Sequence, residues 1–284
     1  MSRNEFQEQA KRWLSTYKKD VLQVSDKGVW LRNGREYEHI LPSDRYKLNI
    51  LPSLREEFWH WFDTQEIHLQ RDFHHLNSSQ ALCFNLFFPL LRKNPAGLAT
   101  LLSVIEVDGQ PTDQAFFEFQ PDPTEGTCID FSLHLKDGAR INFEVKYTES
   151  EFGAAKTDNN HLEKFEKVYR SGVTLRFAPA FCTARQFLNH YQIMRNIWHL
   201  RDDTKDIAVF LFPKSNSALR HCEPVIRTCA IEPFRSHVRI LYLEELVTAL
   251  HAVGRSASQP EHLEEFHLKY LATSREVSKT RQLS

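Results

Sequence analysis

Between Cys128 and Glu149 the chain alternates apolar and polar residues twice, on either side of a glycine-containing turn. Ile129, Phe131, Leu133 and Leu135 alternate with Cys128, Asp130, Ser132 and His134. Beyond the turn, Ile141, Phe143, Val145 and Tyr147 alternate with Arg140, Asn142, Glu144 and Lys146. Strict period two on both sides of Asp137-Gly138 predicts a β-hairpin with one apolar face. Burial then selects the register. A two-residue turn would pair Lys136 with Ala139 and set each apolar face against a polar one. A three-residue loop, Lys136-Asp137-Gly138, with Gly138 in the left-handed region of a bulge, pairs Leu135 with Ala139. It also pairs His134 with Arg140, Ser132 with Asn142 and Asp130 with Glu144, and both apolar sets share one face. Two carboxylates then face each other, which is destabilising unless a divalent cation coordinates both. Lys146 lies on the same face, two residues beyond Glu144.

Composition narrows the class. The chain has 284 residues, 41% hydrophobic and 26% charged, as expected of an ordinary globular protein. No apolar run approaches membrane-spanning length, and residues 1–13 lack the apolar core of a secretory signal. Five scattered cysteines, none in a C-x-x-C pair, read as reduced thiols of a cytoplasmic protein without a structural zinc site. The net charge of −1 argues against a surface coated in basic residues, although residues 151–240 hold 14 Lys and Arg against 9 Asp and Glu.

Periodicity predicts the remaining elements. An amphipathic helix is expected over residues 4–24, a hairpin over Gly28–Ile40 with Asn33-Gly34 at its turn, and a short aromatic helix over Leu54–Phe62. Leu76–Leu91 reads as a wholly apolar, buried helix capped by Ser78 or Ser79 and ended or kinked by Pro89. Its polar residues Gln80 and Asn85 either satisfy backbone groups or face the carboxylate pair. Further expectations are a helix over Ala96–Ile105, a strand over Ala115–Phe119, a charged helix over Asn159–Tyr169 and an extended link over Gly172–Arg176. Ala184–Leu200 reads as one continuous helix with Gln192, Arg195 and His199 on its polar face. Ile207–Phe212 and His237–Leu243 read as buried strands, followed by a helix over Glu244–Val253 and a frayed polar end. The expected class is α/β, a mixed central sheet flanked by helices. The segments expected are an N-terminal helix and hairpin extension (1–75), a core (76–254) and a helical or frayed tail (255–284).

With Asp130 on one strand and Glu144-Val145-Lys146 on its antiparallel neighbour, the chain resembles the PD-(D/E)XK nuclease superfamily. The stretches HHLNSSQALCFNLFFPLL (74–91), FEVKYTE (143–149) and NHYQIMRN (189–196) resemble a bacterial group of restriction-endonuclease-like proteins, over roughly residues 28–250. That resemblance implies a restriction-endonuclease-like core. It implies that Asp130, Glu144 and the Val145 carbonyl ligate Mg²⁺, with Mn²⁺ a substitute, and that Lys146 polarises the attacking water. Gln192 matches a glutamine often found lining such sites, and its neighbour Tyr191 either joins it or packs. Gln80 and Asn85 match the helix that in many members supplies an acid. The implied activity is Mg²⁺-dependent hydrolysis of phosphodiesters, DNA favoured over RNA, in restriction, defence or mobile-element biology.

Departures and alternatives accompany this reading. Ile129 stands where the motif's proline would be, and Pro121-Asp122 offers a second literal match in a proline-rich loop. The upstream helix has no Asp or Glu, so a second metal would need Glu118, Glu125 or Glu149. Arg195 either meets backbone phosphate or pairs with a carboxylate inside the fold. Asp130 and Glu144 read without the resemblance are exposed strand residues, with Lys146 a counter-ion. The competing function is a catalytically silent nuclease fold that binds nucleic acid or protein. A homodimer is compatible with either, and no membrane partner is expected.

Overall fold

The computed structural model describes residues 5–201, 205–254 and 261–271. The chain opens with α1 (Glu5–Asp20), whose first-turn Glu5 and Glu8 and last-turn Lys18 and Lys19 complement the helix dipole. The hairpin β1 (Gly28–Trp30) and β2 (Arg35–Tyr37) follows, with Trp30 paired to Arg35 across the turn. Next come α2 (Arg55–Phe62) and α3 (Ser79–Arg92). Ser78 Oγ accepts from Ala81 N to cap α3, and every residue from Gln80 to Leu90 is buried. Of the two roles expected for Pro89, it does not end α3, which runs on to Arg92. It lies near the C-terminus, where a proline removes one ladder bond, and Lys93 N still reaches Pro89 O. Asn94 caps α4 (Pro95–Val104) through Gly97 N.

Then come β3 (Pro111–Phe119), β4 (Ile129–Leu135) and β5 (Arg140–Val145). After them run α5 (Asn159–Lys164), which widens into a π-type turn over Phe165–Tyr169, and α6 (Val173–Arg176). Where Gly172–Arg176 was expected extended, α6 is a helical turn, closed by Phe177 N on Val173 O. Four residues are too few for periodicity to show. The helix expected over Ala184–Leu200 is two, α7 (Ala184–Asn189) and α8 (Tyr191–Trp198), broken at His190 with φ −122° and ψ 34°. In a continuous helix Leu188 O would accept from Gln192 N. Here Leu188 O accepts from Ala155 N, and Gln192 N donates to Gly153 O. A loop from elsewhere in the chain has taken both partners. The chain continues with β6 (Ile207–Phe212), α9 (Ser217–Arg220), α10 (Glu223–Thr228), β7 (Val238–Tyr242), α11 (Leu243–Gly254) and α12 (Glu261–Tyr270). The frayed end expected for the last dozen residues lies outside the described residues.

The class is α/β. The five-stranded sheet has the order β3-β4-β5-β6-β7. Strand β4 runs antiparallel to both β3 and β5, whereas β5 and β6 are parallel, so the sheet is mixed as expected. The hairpin register is the three-residue-loop register: Phe131 opposes Phe143, Ser132 opposes Asn142 and His134 opposes Arg140. Leu135 N donates to Ala139 O, and Gly138 holds φ +87°. Ile129, Phe131, Leu133, Ile141 and Phe143 are wholly buried on the apolar face.

Contacts divide the chain into two compact units, Met1–Asp108 with Tyr242–Ser284, and Gly109–Leu241. They cut across the expected segments 1–75, 76–254 and 255–284, since α3 and α4 join the first unit and the chain returns to it after residue 241. Within that unit, buried Lys18 and Lys269 end on backbone carbonyls. Lys18 Nζ donates to Asp26 O and Ile40 O, and Lys269 Nζ to the carbonyl and side chain of Asn49.

A Cβ added at Gly138 would meet no atom within 4 Å, so the left-handed backbone sets the cost of a side chain there. Gly138→Val is expected to lower stability by about 1–2 kcal/mol, read as a lower urea midpoint with an unchanged slope.

Candidate active site

Continuing the β4–β5 register by one residue sets Asp130 opposite Glu144. On the other flank, Phe117 opposes Phe131 and Phe119 opposes Ile129, which brings Glu118 beside Asp130. Three carboxylates therefore cross three strands in one row, on the polar face of the sheet. Asp130 Oδ2 accepts from Val145 N at 2.7 Å. Glu144 is 4% exposed, and its two oxygens have different partners. Lys146 Nζ lies 2.7 Å from Oε1, and Asn196 Nδ2 donates to Oε2 at 2.8 Å.

The electrostatics follow from burial and charge. Burial, then the charge of Glu144, push the Asp130 carboxyl well above the usual carboxylate range. Lys146 and the Val145 N–H oppose the rise, and Glu118 adds to it. Burial alone would favour a neutral Lys146, but Glu144, Asp130 and Glu149 outweigh it and keep the ammonium charged. Burial and the neighbouring Glu118 push the Cys128 thiol up, so it is not a poised nucleophile. Among the described residues, no group of three or more His, Cys, Asp and Glu side chains is placed to hold a metal ion. The donors this row offers a cation are therefore two carboxylates and a backbone carbonyl such as that of Val145, all hard oxygens.

The strand end carrying Lys146 is pinned. Lys146 N donates to Leu211 O of β6, and buried Asn216 donates to both Tyr147 O and Glu149 O. The Glu149 carboxylate accepts from Tyr147 N at 2.6 Å. Asn216 meanwhile caps α9 through Ala218 N and Leu219 N.

Helix α8 supplies Asn196, which sequence reasoning missed. Its signal was an amide between Ile193 and Ile197, one turn beyond Gln192, on the buried side of the helix. Asn196 Nδ2 also donates to Gln192 O, and its Oδ1 is buried without a hydrogen-bond partner. The Gln192 side chain lies against Gly153, whose added Cβ would sit 2.8 Å from Gln192 Oε1. Arg195 pairs inside the fold, its Nε donating to Glu125 Oε1 at 2.9 Å while its guanidinium lies over the Tyr191 ring. Tyr191 is buried in an aromatic cluster with Tyr169 and Phe187.

Glu125 is 2% exposed and is the hub of this region. Besides Arg195 it meets Tyr169 OH, Lys164 Nζ at 3.0 Å, Thr127 N at 2.7 Å and His199 Nε2 at 2.9 Å. Asp122, in the same loop, holds its own turn by accepting from Thr124 N and Oγ1. Gln80 and Asn85 lie in the other unit. Gln80 accepts from Gln70 N and donates to His68 O. Asn85 accepts from Leu51 N and donates to Asn49 O and Tyr270 OH. These amides satisfy backbone groups, the first of the two roles expected for them.

Two stability effects of opposite sign follow. Burial would raise the Glu125 pKa, but hydrogen bonds from His199, Thr127 and Tyr169 and the charge of Arg195 hold it well below the carboxylate range. Its contribution is present above the unfolded value of about 4.3 and is lost as pH falls toward the folded one. Glu125→Gln is expected to cost about 3–5 kcal/mol at neutral pH; urea titrations of both proteins should converge as pH is lowered through the acid range. Asp130 behaves inversely. Its raised folded pKa means that stability is lost as pH rises from about 3.9. Asp130→Asn is therefore expected to melt above the parent protein at pH 7, in calorimetry without divalent ions.

Among the described residues no helix is long and apolar enough to cross a membrane. No curated protein and no solved structure matches the chain. One family model does, that described as "Restriction Endonuclease associating with ARP", over residues 10–271. That span is most of the chain, and the mixed sheet with its helices agrees with a restriction-endonuclease-like fold. The chain belongs to this restriction-endonuclease-like family.

Proposed function

We propose that the chain is a Mg²⁺-dependent phosphodiester hydrolase of the PD-(D/E)XK type, acting on DNA. The observation that carries this reading is the facing pair Asp130 and Glu144 with Lys146 seated on Glu144. A structural ion pair would need one carboxylate for one ammonium. This site holds a second carboxylate whose proton affinity is raised by burial and then by the first. Bringing two such charges together is costly unless a cation joins them. Two carboxylates and a carbonyl fit Mg²⁺, a hard ion that takes oxygen ligands and retains waters for a substrate phosphate to displace. When bound, the ion would lower the pKa of a water and neutralise charge developing on the phosphate.

The protein's own groups have distinct tasks in this proposal. Asp130, Glu144 and the Val145 carbonyl hold the ion, with Mn²⁺ a substitute. Lys146 stays an ammonium and acts as a charged donor to the nucleophile or to a phosphate oxygen, since deprotonating it beside three carboxylates is unfavourable. Asn196 restricts Glu144 to one orientation by occupying Oε2. Gln192, one turn earlier on α8, lines the approach. Arg195 holds α8 in place through Glu125 and Tyr191 through its aromatic cluster, so phosphate contact is assigned elsewhere. Five free cysteines agree with a cytoplasmic setting.

Incubating the purified protein with DNA and Mg²⁺ is expected to give cleavage. Lys146→Ala should reduce the rate by about 10²–10³-fold, and Glu144→Ala should abolish it. In the parent, Mg²⁺ at about a hundred times its Kd should add about 2.7 kcal/mol of stability, and Asp130→Ala should erase that gain. Undiminished cleavage by both Glu144→Ala and Lys146→Ala would refute the assignment. Metal-insensitive melting with no cleavage would favour the inactive binding module.

A further inference from the structure

The polar face of the sheet carries an aromatic surface beside the carboxylate row. Phe116 pairs with Ser132, so its side chain shares the face of Ser132, Asp130 and Glu118. Two residues along a strand are about 7 Å, which separates Phe116 from the carboxylate row by one step. The residue is 39% exposed, high for phenylalanine within a strand. Strict alternation would send Phe119 to the opposite face with Phe117. Instead Glu118 takes φ +51°, a left-handed value that is strained for a side-chain-bearing residue. The alternation breaks there, and the Phe119 ring lies stacked on Phe116, with centroids 5.5 Å apart and planes at 28°.

His134 and Arg140 complete the surface. The His134 ring is 5.0 Å from Phe116 and 5.5 Å from Phe119, and its buried Nε2 has no hydrogen-bond partner. The Arg140 guanidinium lies 5.9 Å from the centre of the Phe119 ring. An exposed ring stacked on a half-buried one, next to a cation, offers both a π-face and charge complementary to a phosphate. A nucleobase has the matching π-face, and stacking on aromatic side chains is the sequence-tolerant way to hold one. Within an intact duplex both faces of each base are already covered.

We propose that Phe116 and Phe119, backed by His134 and Arg140, form a stacking platform for an unpaired nucleobase. Nucleic acid therefore passes the carboxylates as a single strand. This rests on reading the polar face as the nucleic-acid-binding face, and it names the substrate form that site takes. The backbone at Glu118 spends strain to set Phe119 beside Phe116, a distortion that a purely structural edge strand does not require.

The test is fluorescence anisotropy of the full chain with a fluorescein-labelled oligothymidylate and with a labelled duplex, in EDTA so that no cleavage occurs. The parent is expected to prefer the single strand. Phe116→Ala should weaken single-strand binding about tenfold, change duplex binding less than about twofold, and leave the melting temperature within about 1 °C, as befits an exposed site. Phe116→Trp should restore the affinity. Equal binding of both forms, or single-strand affinity unchanged in Phe116→Ala, overturns the platform. A dimer that dissociates on Phe116→Ala without any change in strand binding overturns it as well. Because no metal is present, strand binding through Phe116 without Mg²⁺-dependent cleavage would defeat the hydrolase reading and leave the platform standing. Cleavage insensitive to Phe116 in both binding and rate would do the reverse.

Discussion

The opposition of Asp130 and Glu144 across β4 and β5 is the constraint on which the rest of this site depends. Nothing in either carboxylate favours the other. They meet because Phe131 opposes Phe143 and Leu133 opposes Ile141, and burying those apolar rows on one face leaves a single register. Gly138 makes that register available by taking a backbone conformation which a side chain would resist. Hydrophobic burial thus holds together a pair of charges that would otherwise separate.

Around this pair, buried amides and one buried carboxylate organise the backbone. Asn216 ties the segment after Lys146 to the start of α9. Asn196 ties α8 to Glu144. Glu125 gathers Arg195 from α8 and His199 just beyond its end, Tyr169 and Lys164 from the preceding helical segment, and the backbone at Thr127. Because Thr127 leads directly into β4, one carboxylate couples the entry to the strand of Asp130 with the helix that positions Glu144. Buried charge of this kind is costly to desolvate and is held only where its hydrogen bonds are complete.

The two carboxylate centres illustrate opposite uses of burial. At Glu125 the donors exceed the desolvation penalty, so the ionised form is favoured and the fold gains. At Asp130 burial and two neighbouring acids outweigh the charge of Lys146 and the Val145 N–H, so the ionised form is disfavoured and the fold loses. Glu118, in a left-handed conformation on the next strand, adds both charge and backbone strain to the same row. Stability is thus given up in one row of the sheet and recovered in a hub nearby.

Much of this was legible from the chain alone. Period-two alternation is a local property, so the hairpin, its loop length, its register and the face shared by Asp130, Glu144 and Lys146 followed from residues 128–149. The continuous apolar run of β6 and the capped, buried α3 were readable for the same reason. Other features depend on partners distant in sequence. The break at His190 exists because Gly153 and Ala155 take over the helix bonds of Gln192 and Leu188. Arg195 left two readings open, and only the folded loop bearing Glu125 decided between them. Asn196 has the spacing of a buried helix face, and only its distance from Glu144 gives it a role. Sequence determines what a strand or helix can present, because propensity and periodicity act over a few residues. Tertiary structure decided which polar groups meet, because a buried donor or acceptor is satisfied by whichever partner the packing brings within reach.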